Sequence, residues 1–157
     1  MREKKAGLII NFSSLMGVFG IPFQSAYTAT KFAIEGLSEC LSMEVKKFGI
    51  KVVMIEPGDH RSSSIKYRLR AQNAEIATSP YTSYYKKAVD IMEHDEANGS
   101  DPYGVAGLVF KIINKRKPKL RYTIGRFDQR LSAVLKKILP GRMFESIIMD
   151  YYKQEEI

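Results

Sequence analysis

Apolar residues along the chain fall into three short unbroken runs and into longer stretches where they recur every three or four positions. Gly7-Leu8-Ile9-Ile10-Asn11-Phe12 and Ile50 to Ile55 are nearly continuous and rich in β-branched residues, which predicts two buried strands. Leu120-Arg121-Tyr122-Thr123-Ile124 predicts a third. Ser13 to Gln24 carries Gly17, Gly20 and Pro22 and reads as a loop. From about Ser25, the positions Ala29, Phe32, Ala33, Leu37, Cys40, Leu41 and Val45 recur at helical spacing until Phe48-Gly49. Strand, long helix and buried strand make a βαβ unit, whose crossover should be right-handed.

Residues 63–99 are polar, tyrosine-rich and weakly periodic. A connection of that length in a compact domain reads as a functional loop, such as a lid over substrate. Asp101-Pro102 then supplies an N-cap and a first-turn proline for a helix running to about Lys115. Leu131, Val134, Leu135 and Ile138 mark an amphipathic helix, and Met143 to Tyr152 a last one. The expected class is α/β with a small parallel sheet, in a single domain: an active-site βαβ unit over 1–62, a substrate loop over 63–99, and helices with an edge strand over 100–157.

Composition narrows the function classes. The 157 residues are 45% apolar and 27% charged, ordinary values for a soluble globular domain. No run is long and apolar enough to span a bilayer, and nothing behind Met1-Arg2-Glu3-Lys4-Lys5 resembles a signal peptide. A single cysteine, Cys40, excludes an internal disulfide and suits a cytoplasmic protein. With only His60 and His94 besides, no metal site is expected. Between Lys111 and Arg142 there are eleven Lys or Arg and one acid, Asp128. This reads first as a solvated helical face, and no nucleic-acid motif accompanies it. Leu131, Val134, Leu135, Ile138 and Phe144 beside Arg130, Lys136, Lys137 and Arg142 also fit a helix at a membrane surface. Packing of these apolar residues on the sheet, or around a substrate pocket, is the preferred reading.

Tyr27 and Lys31 lie four apart, on one helix face. A cation near a phenol favours the phenolate, so the Tyr27 pKa is expected to fall toward the range where it exchanges a proton with an alcohol or carbonyl. The bare spacing is weak, since nine tyrosines produce about one such pair by chance. Ser14, at the mouth of the first strand, adds context: the carboxyl ends of parallel strands are where ligands bind. Its hydroxyl could hold a substrate oxygen, although Ser13 beside it could serve equally. Pro57-Gly58 closes the second strand at the same edge, where glycine permits close approach of a flat ligand.

Together these segments resemble the active-site stretch of the short-chain dehydrogenase/reductase family. The likeness lies in Leu8 to Ser14, Gly17, Gly20-Ile21-Pro22 and Ala26-Tyr27-Thr28-Ala29-Thr30-Lys31-Phe32-Ala33, followed by Phe48-Gly49-Ile50-Lys51-Val52 and Ile55-Glu56-Pro57-Gly58-Asp59. The details sit nearest the hydroxysteroid and retinol dehydrogenase branch. The resemblance implies a Rossmann-like, doubly wound parallel sheet and hydride transfer between a nicotinamide and an alcohol or ketone, with NAD and NADP undistinguished. It implies Tyr27 as general acid/base, Ser14 as the group orienting the substrate oxygen, and Lys31 as both tuner of Tyr27 and ligand of the nicotinamide ribose. Pro57 and Gly58 would line the nicotinamide, and Ser62 stands where the family usually has a carboxamide-contacting threonine.

The family also implies a G-x-x-x-G-x-G turn and an Asn-Asn-Ala-Gly segment, and neither occurs in these residues. Met1-Arg2-Glu3-Lys4-Lys5-Ala6-Gly7 resembles an internal stretch of the family. The expectation is therefore an incomplete fold: a C-terminal catalytic half with about three strands, lacking the main cofactor-binding segment. The alternative is a non-catalytic fragment or interaction module. The first strand's outer edge and the long helix should then be uncovered, which predicts a homo-oligomer or pairing with the missing half. The aromatic residues Tyr67, Tyr81, Tyr84 and Tyr85 favour an apolar alcohol or ketone as substrate.

Overall fold

A computed structural model describes residues 1–62, 64–70, 73 and 76–154. β1 (Gly7–Phe12), α1 (Ser25–Val45) and β2 (Ile50–Pro57) form the expected unit, with β1 and β2 parallel and paired from Gly7–Ile50 to Phe12–Ile55. The chain leaves α1 through a 3-10 turn at Lys46–Phe48 and reverses at Gly49. That residue takes a left-handed φ of 67°, and a Cβ there would lie 2.2 Å from the Lys5 carbonyl oxygen. β3 (Arg121–Ile124) pairs in parallel with β2, giving the order β1-β2-β3. Val52 to Glu56 in the middle strand are buried, which is why that strand reads as an almost unbroken apolar run.

Helices α2 (Ser64–Tyr67), α3 (Thr82–Ala97), α4 (Tyr103–Ile113), α5 (Phe127–Ile138) and α6 (Gly141–Tyr151) complete the chain. The helix begins one residue later than expected, with Pro102 as the N-cap of α4, and the Asp101 carboxylate accepts from the Tyr103 N–H at 2.9 Å. Two apolar clusters form. One joins Val53 and Ile55 to Ile112 of α4. The other gathers Leu15, Phe19 and Ile21 of the loop with Ala88, Val89 and Met92 of α3, Ala133 of α5 and Phe144 of α6.

Three readings need correction. The chain is not structured as a C-terminal remnant: strands and helices run through it from Gly7 to Tyr151, and each strand finds a parallel partner within the chain. Residues 63–99 are not one long loop, because α3 occupies Thr82–Ala97 and buries Ala88, Val89, Met92 and Asp95 on one face. The expected boundary at residue 63 lies outside the described residues. Finally, α1 has apolar residues on two faces. It turns Glu35 and Ser38 inward, while Phe32, Leu37 and Met43 are exposed. The inward polar residues are matched: Asn11 of β1 donates to Ser38 Oγ at 2.8 Å, and Arg121 of β3 donates to Glu35 at 3.0 Å. β1 forms one edge of the sheet, partly exposed along its length.

Candidate active site

The carboxyl ends of β1 and β2 open into a cavity of about 1230 Å³. Ser13, Ser14, Tyr27, Pro57, Gly58, Asp59 and Ser62 lie on its wall with Phe12, and α3 and α4 contribute apolar side chains including Val89, Met92, Val109 and Phe110. Ser14 caps the 3-10 turn Leu15–Gly17, its Oγ accepting from the Met16 N–H at 3.2 Å. The same hydroxyl lies 3.4 Å from the Pro57 carbonyl oxygen and hydrogen-bonds the Tyr27 phenol. The structure thus separates the two serines. Ser13 Oγ is directed to the Lys31 carbonyl at 3.5 Å, whereas Ser14 meets the tyrosine.

Tyr27 sits in the first turn of α1 and Lys31 one turn on, with the ammonium 5.4 Å from the phenol ring centroid. Lys31 Nζ donates to the Phe12 carbonyl at 3.1 Å, which ties helix to strand end. Here the structure departs from the expected electrostatics. Although 44% of Tyr27 is exposed, desolvation pushes its pKa above the ordinary tyrosine value. The Ser14 hydrogen bond acts the other way, while the carboxylates of Glu96 and Asp59 raise it further and Arg68 opposes them. Desolvation also lowers the Lys31 pKa. The ammonium is engaged with the strand, and the charges facing the phenol are mainly acids.

Gly58 is fixed by packing. Its N–H donates to the Ile124 carbonyl at 2.7 Å, and a Cβ there would lie 2.2 Å from Gln129 Oε1. Two wall residues carry chemistry that sequence reasoning did not assign. Asp59 accepts from Gln129 Nε2 at 2.5 Å, and among the described residues no cation forms an ion pair with it. Burial first, then Asp95 and Glu96, push its pKa up to about 6, against the hydrogen bond from Gln129 and the charge of Arg126. His60 Nδ1 lies 2.9 Å from the Gly58 carbonyl, which can only accept, so Nδ1 is the donor there, and Nε2 is buried without a hydrogen-bond partner among the described residues. The only sequence signal for either was adjacency to Pro57-Gly58. Among the described residues, no three His, Cys, Asp or Glu side chains are grouped to hold a metal ion.

A serine, a tyrosine and a lysine are thus gathered at the carboxyl edge of a parallel sheet, where open α/β sheets bind ligands. Residues 1–74 match the model of the short chain dehydrogenase family. The chain is 37% identical to a 3-ketodihydrosphingosine reductase of Bacteroides thetaiotaomicron, over 97% of this chain and 56% of that protein. It is 34% identical to the uncharacterized oxidoreductase YusZ of Bacillus subtilis, over 94% of this chain and 53% of that one. A crystal structure of a short-chain dehydrogenase from Streptomyces avermitilis superposes on 98% of this chain and 52% of its own, with a TM-score of 0.66 and 28% identity. A Burkholderia phymatum family member solved with NAD shares the fold, with a TM-score of 0.66 at 20% identity. The matched residues 1–74 hold Ser14, Tyr27, Lys31, Pro57 and Gly58, and the chain spans about half the length of these relatives, to which it is similar over nearly all of its own.

These matches also correct the expectation of a C-terminal half that lacks its main cofactor-binding segment. The family model aligns from residue 1, and the likeness to a solved dehydrogenase extends over nearly the whole chain.

Proposed function

We propose that the chain acts as an NAD- or NADP-dependent oxidoreductase that interconverts an apolar alcohol and its ketone. The observation that carries this is that Ser14 and Tyr27 line one cavity at the strand ends, with the Lys31 ammonium beside the phenol ring and bonded to the Phe12 carbonyl. The donor set suits a nicotinamide nucleotide. The Lys31 ammonium has three protons, of which the Phe12 carbonyl takes one, leaving donors for ribose hydroxyls. Pro57 and Gly58 offer backbone without side-chain bulk on the facing wall, and Ser62 supplies a further hydroxyl.

When bound, a nicotinamide supplies the hydride acceptor or donor. Tyr27 Oη takes the proton from the alcohol oxygen in oxidation and returns it to the carbonyl oxygen in reduction. Ser14 Oγ hydrogen-bonds the same oxygen and supports the charge that develops there. Because Ser14 also bonds the phenol, it lowers the Tyr27 pKa against the effect of burial.

The apolar wall formed by α3 and α4 favours a substrate with extended hydrocarbon surface. The Bacteroides relative makes 3-ketodihydrosphingosine the first compound to test. The experiment is NAD(P)H oxidation with this ketone and a panel of simpler apolar ketones, alongside direct titration of each nucleotide. Turnover that is lost in Tyr27→Phe while nucleotide affinity is kept supports the reading. Nucleotide binding without turnover of any carbonyl compound overturns it.

A further inference from the structure

Helix α5 carries apolar residues on two sides, with Ala133 and Leu135 in or against the core and a second set facing solvent. Its side toward the body carries Gln129, which bonds Asp59, and Ala133, which is buried, while Lys136 lies over the Phe144 ring at 5.2 Å. The solvent-facing set forms a stripe. Phe127, Leu131, Val134 and Ile138 follow steps of four, three and four and are 78%, 43%, 51% and 71% exposed. Helix α6 touches α5 and continues the pattern with exposed Met143, Ile147 and Tyr151, again four apart. Of the five residues for which packing was the reading preferred from sequence, Phe144 and Leu135 do pack in the core, whereas Leu131, Val134 and Ile138 do not.

Four large apolar side chains in one row on an exposed helix call for a cover. Charge indicates which kind. From Arg126 to Arg142 there are five basic residues (Arg126, Arg130, Lys136, Lys137, Arg142) against one acid, Asp128. A second copy would bring the same basic surface against this one, and of the acids on α5 and α6 two, Asp128 and Glu145, are already paired with Arg126 and Arg142. A bilayer with anionic headgroups offers both what the stripe and what its flanks need.

We propose that the exposed face of α5, continued by Met143 and Ile147 of α6, docks on an anionic membrane surface, with Phe127, Leu131, Val134 and Ile138 inserted below the headgroups. This is attachment from one side, since no described helix is long and apolar enough to cross a membrane. The opposite side of α5 holds Asp59 of the cavity wall through Gln129.

The test uses the whole chain and needs no substrate. The protein has no tryptophan, so Phe127→Trp provides a single reporter. With vesicles of phosphatidylcholine plus phosphatidylglycerol, its emission should shift to the blue and be quenched by brominated acyl chains. Phosphatidylcholine alone, or high salt, should weaken binding by on the order of tenfold. Leu131→Ser with Ile138→Ser should abolish flotation with anionic vesicles while leaving the circular-dichroism melt unchanged, because both residues are already exposed. Three outcomes overturn the proposal: no binding to anionic vesicles at low salt, binding that the double substitution leaves intact, or a double substitution that lowers the sedimenting mass without affecting vesicle binding. The last would make the stripe a contact between copies.

Discussion

Asp59 and Gln129, 70 residues apart in sequence, grip each other twice: the Asp59 N–H donates to Gln129 Oε1 at 3.1 Å, and Gln129 Nε2 donates to the Asp59 carboxylate at 2.5 Å. This pair ties the end of β2 to α5, and Gln129 also fills the space beside Gly58. Replacing Gln129 by Ala strands the Asp59 carboxylate, half-buried, without its donor. A stability loss of about 1–3 kcal/mol is expected by urea denaturation. Substrate KM should rise more than kcat falls, because the wall moves and the reacting hydroxyls do not.

The same pair sets a pH dependence. Asp59 is an acid whose folded pKa, about 6, lies above its ordinary value, so keeping it ionised costs stability. That cost is absent at pH below both values and complete once the pH has risen past about 6. Asp59→Asn keeps an acceptor for Gln129 and removes the charge. Its melting temperature should match wild type at about pH 3, below both values, and exceed it at about pH 8. Since Asp59 raises the Tyr27 pKa, the acid limb of the pH–rate profile should also move to lower pH in this variant. A profile identical to wild type would show that the Asp59 charge does not reach the phenol.

Ser14 and Tyr27 can be tested as a unit. Tyr27→Phe keeps the ring and loses the proton, so turnover should disappear with nucleotide affinity retained. Ser14→Ala removes a hydrogen bond to the oxygen where charge develops, and a fall in kcat of roughly 10²–10³ is expected. It also removes the contact that lowers the Tyr27 pKa, so the remaining activity should shift to higher pH. A Ser14→Ala enzyme with an unshifted profile would assign the serine to the turn it caps and not to the phenol.

The strands were readable because each is a continuous apolar run, and the Gly49 turn because a left-handed residue was needed there. Helix α3 was not. Its inner face includes Asp95 and Glu96, which bond Tyr151 and Arg68 from distant parts of the chain, so its period is hidden among polar residues. Amphipathic spacing located α1 and α5 but not their orientation: both have apolar residues on two sides, one of them facing solvent. At the candidate site, spacing and context singled out Tyr27, Lys31 and Ser14, which the fold brings to the carboxyl edge of the sheet. The direction of the Tyr27 pKa was not, because it depends on Glu96 and Asp59, which only the folded chain brings to the phenol.

The exposed apolar residues on α1 carry their own prediction, separate from α5. Phe32, Leu37 and Met43 lie on its outer side, and β1 beside it is an edge strand. Covering such side chains is worth about 1.5–3 kcal/mol each, enough to drive association at micromolar concentration. Sedimentation equilibrium without lipid is expected to give a dimer or higher oligomer, and Leu37→Glu with Phe32→Glu to return a folded monomer. A monomeric wild type with a cooperative melt would remove self-association from the picture.

The last prediction concerns three carboxylates around one guanidinium on the far side of α1 from that surface. Arg121 of β3 contacts Glu35 at 3.0 Å, Glu39 at 2.5 Å and Glu56 at 3.3 Å, and so joins β3 to α1 and to the end of β2 just before Pro57. Glu35 and Glu56 are only 7% and 3% exposed, and each keeps one buried oxygen without a hydrogen-bond donor. Burial already holds the Glu56 pKa above its ordinary value, against the Thr123 hydrogen bond and the Arg121 charge. Arg121→Ala leaves both carboxylates without their cation, and a loss of about 3–5 kcal/mol is expected at pH 8. An acid with a raised folded pKa costs stability as the pH rises through that value, so protonation at pH 5 should return part of the loss. Glu56→Gln in the Arg121→Ala background should do the same at pH 8, by removing a buried charge while keeping the acceptor for Thr123. Urea melts of the four proteins at both pH values decide it. A loss that is equal at pH 5 and pH 8, with no rescue by glutamine, would mean that Arg121 holds the sheet through packing and not through charge.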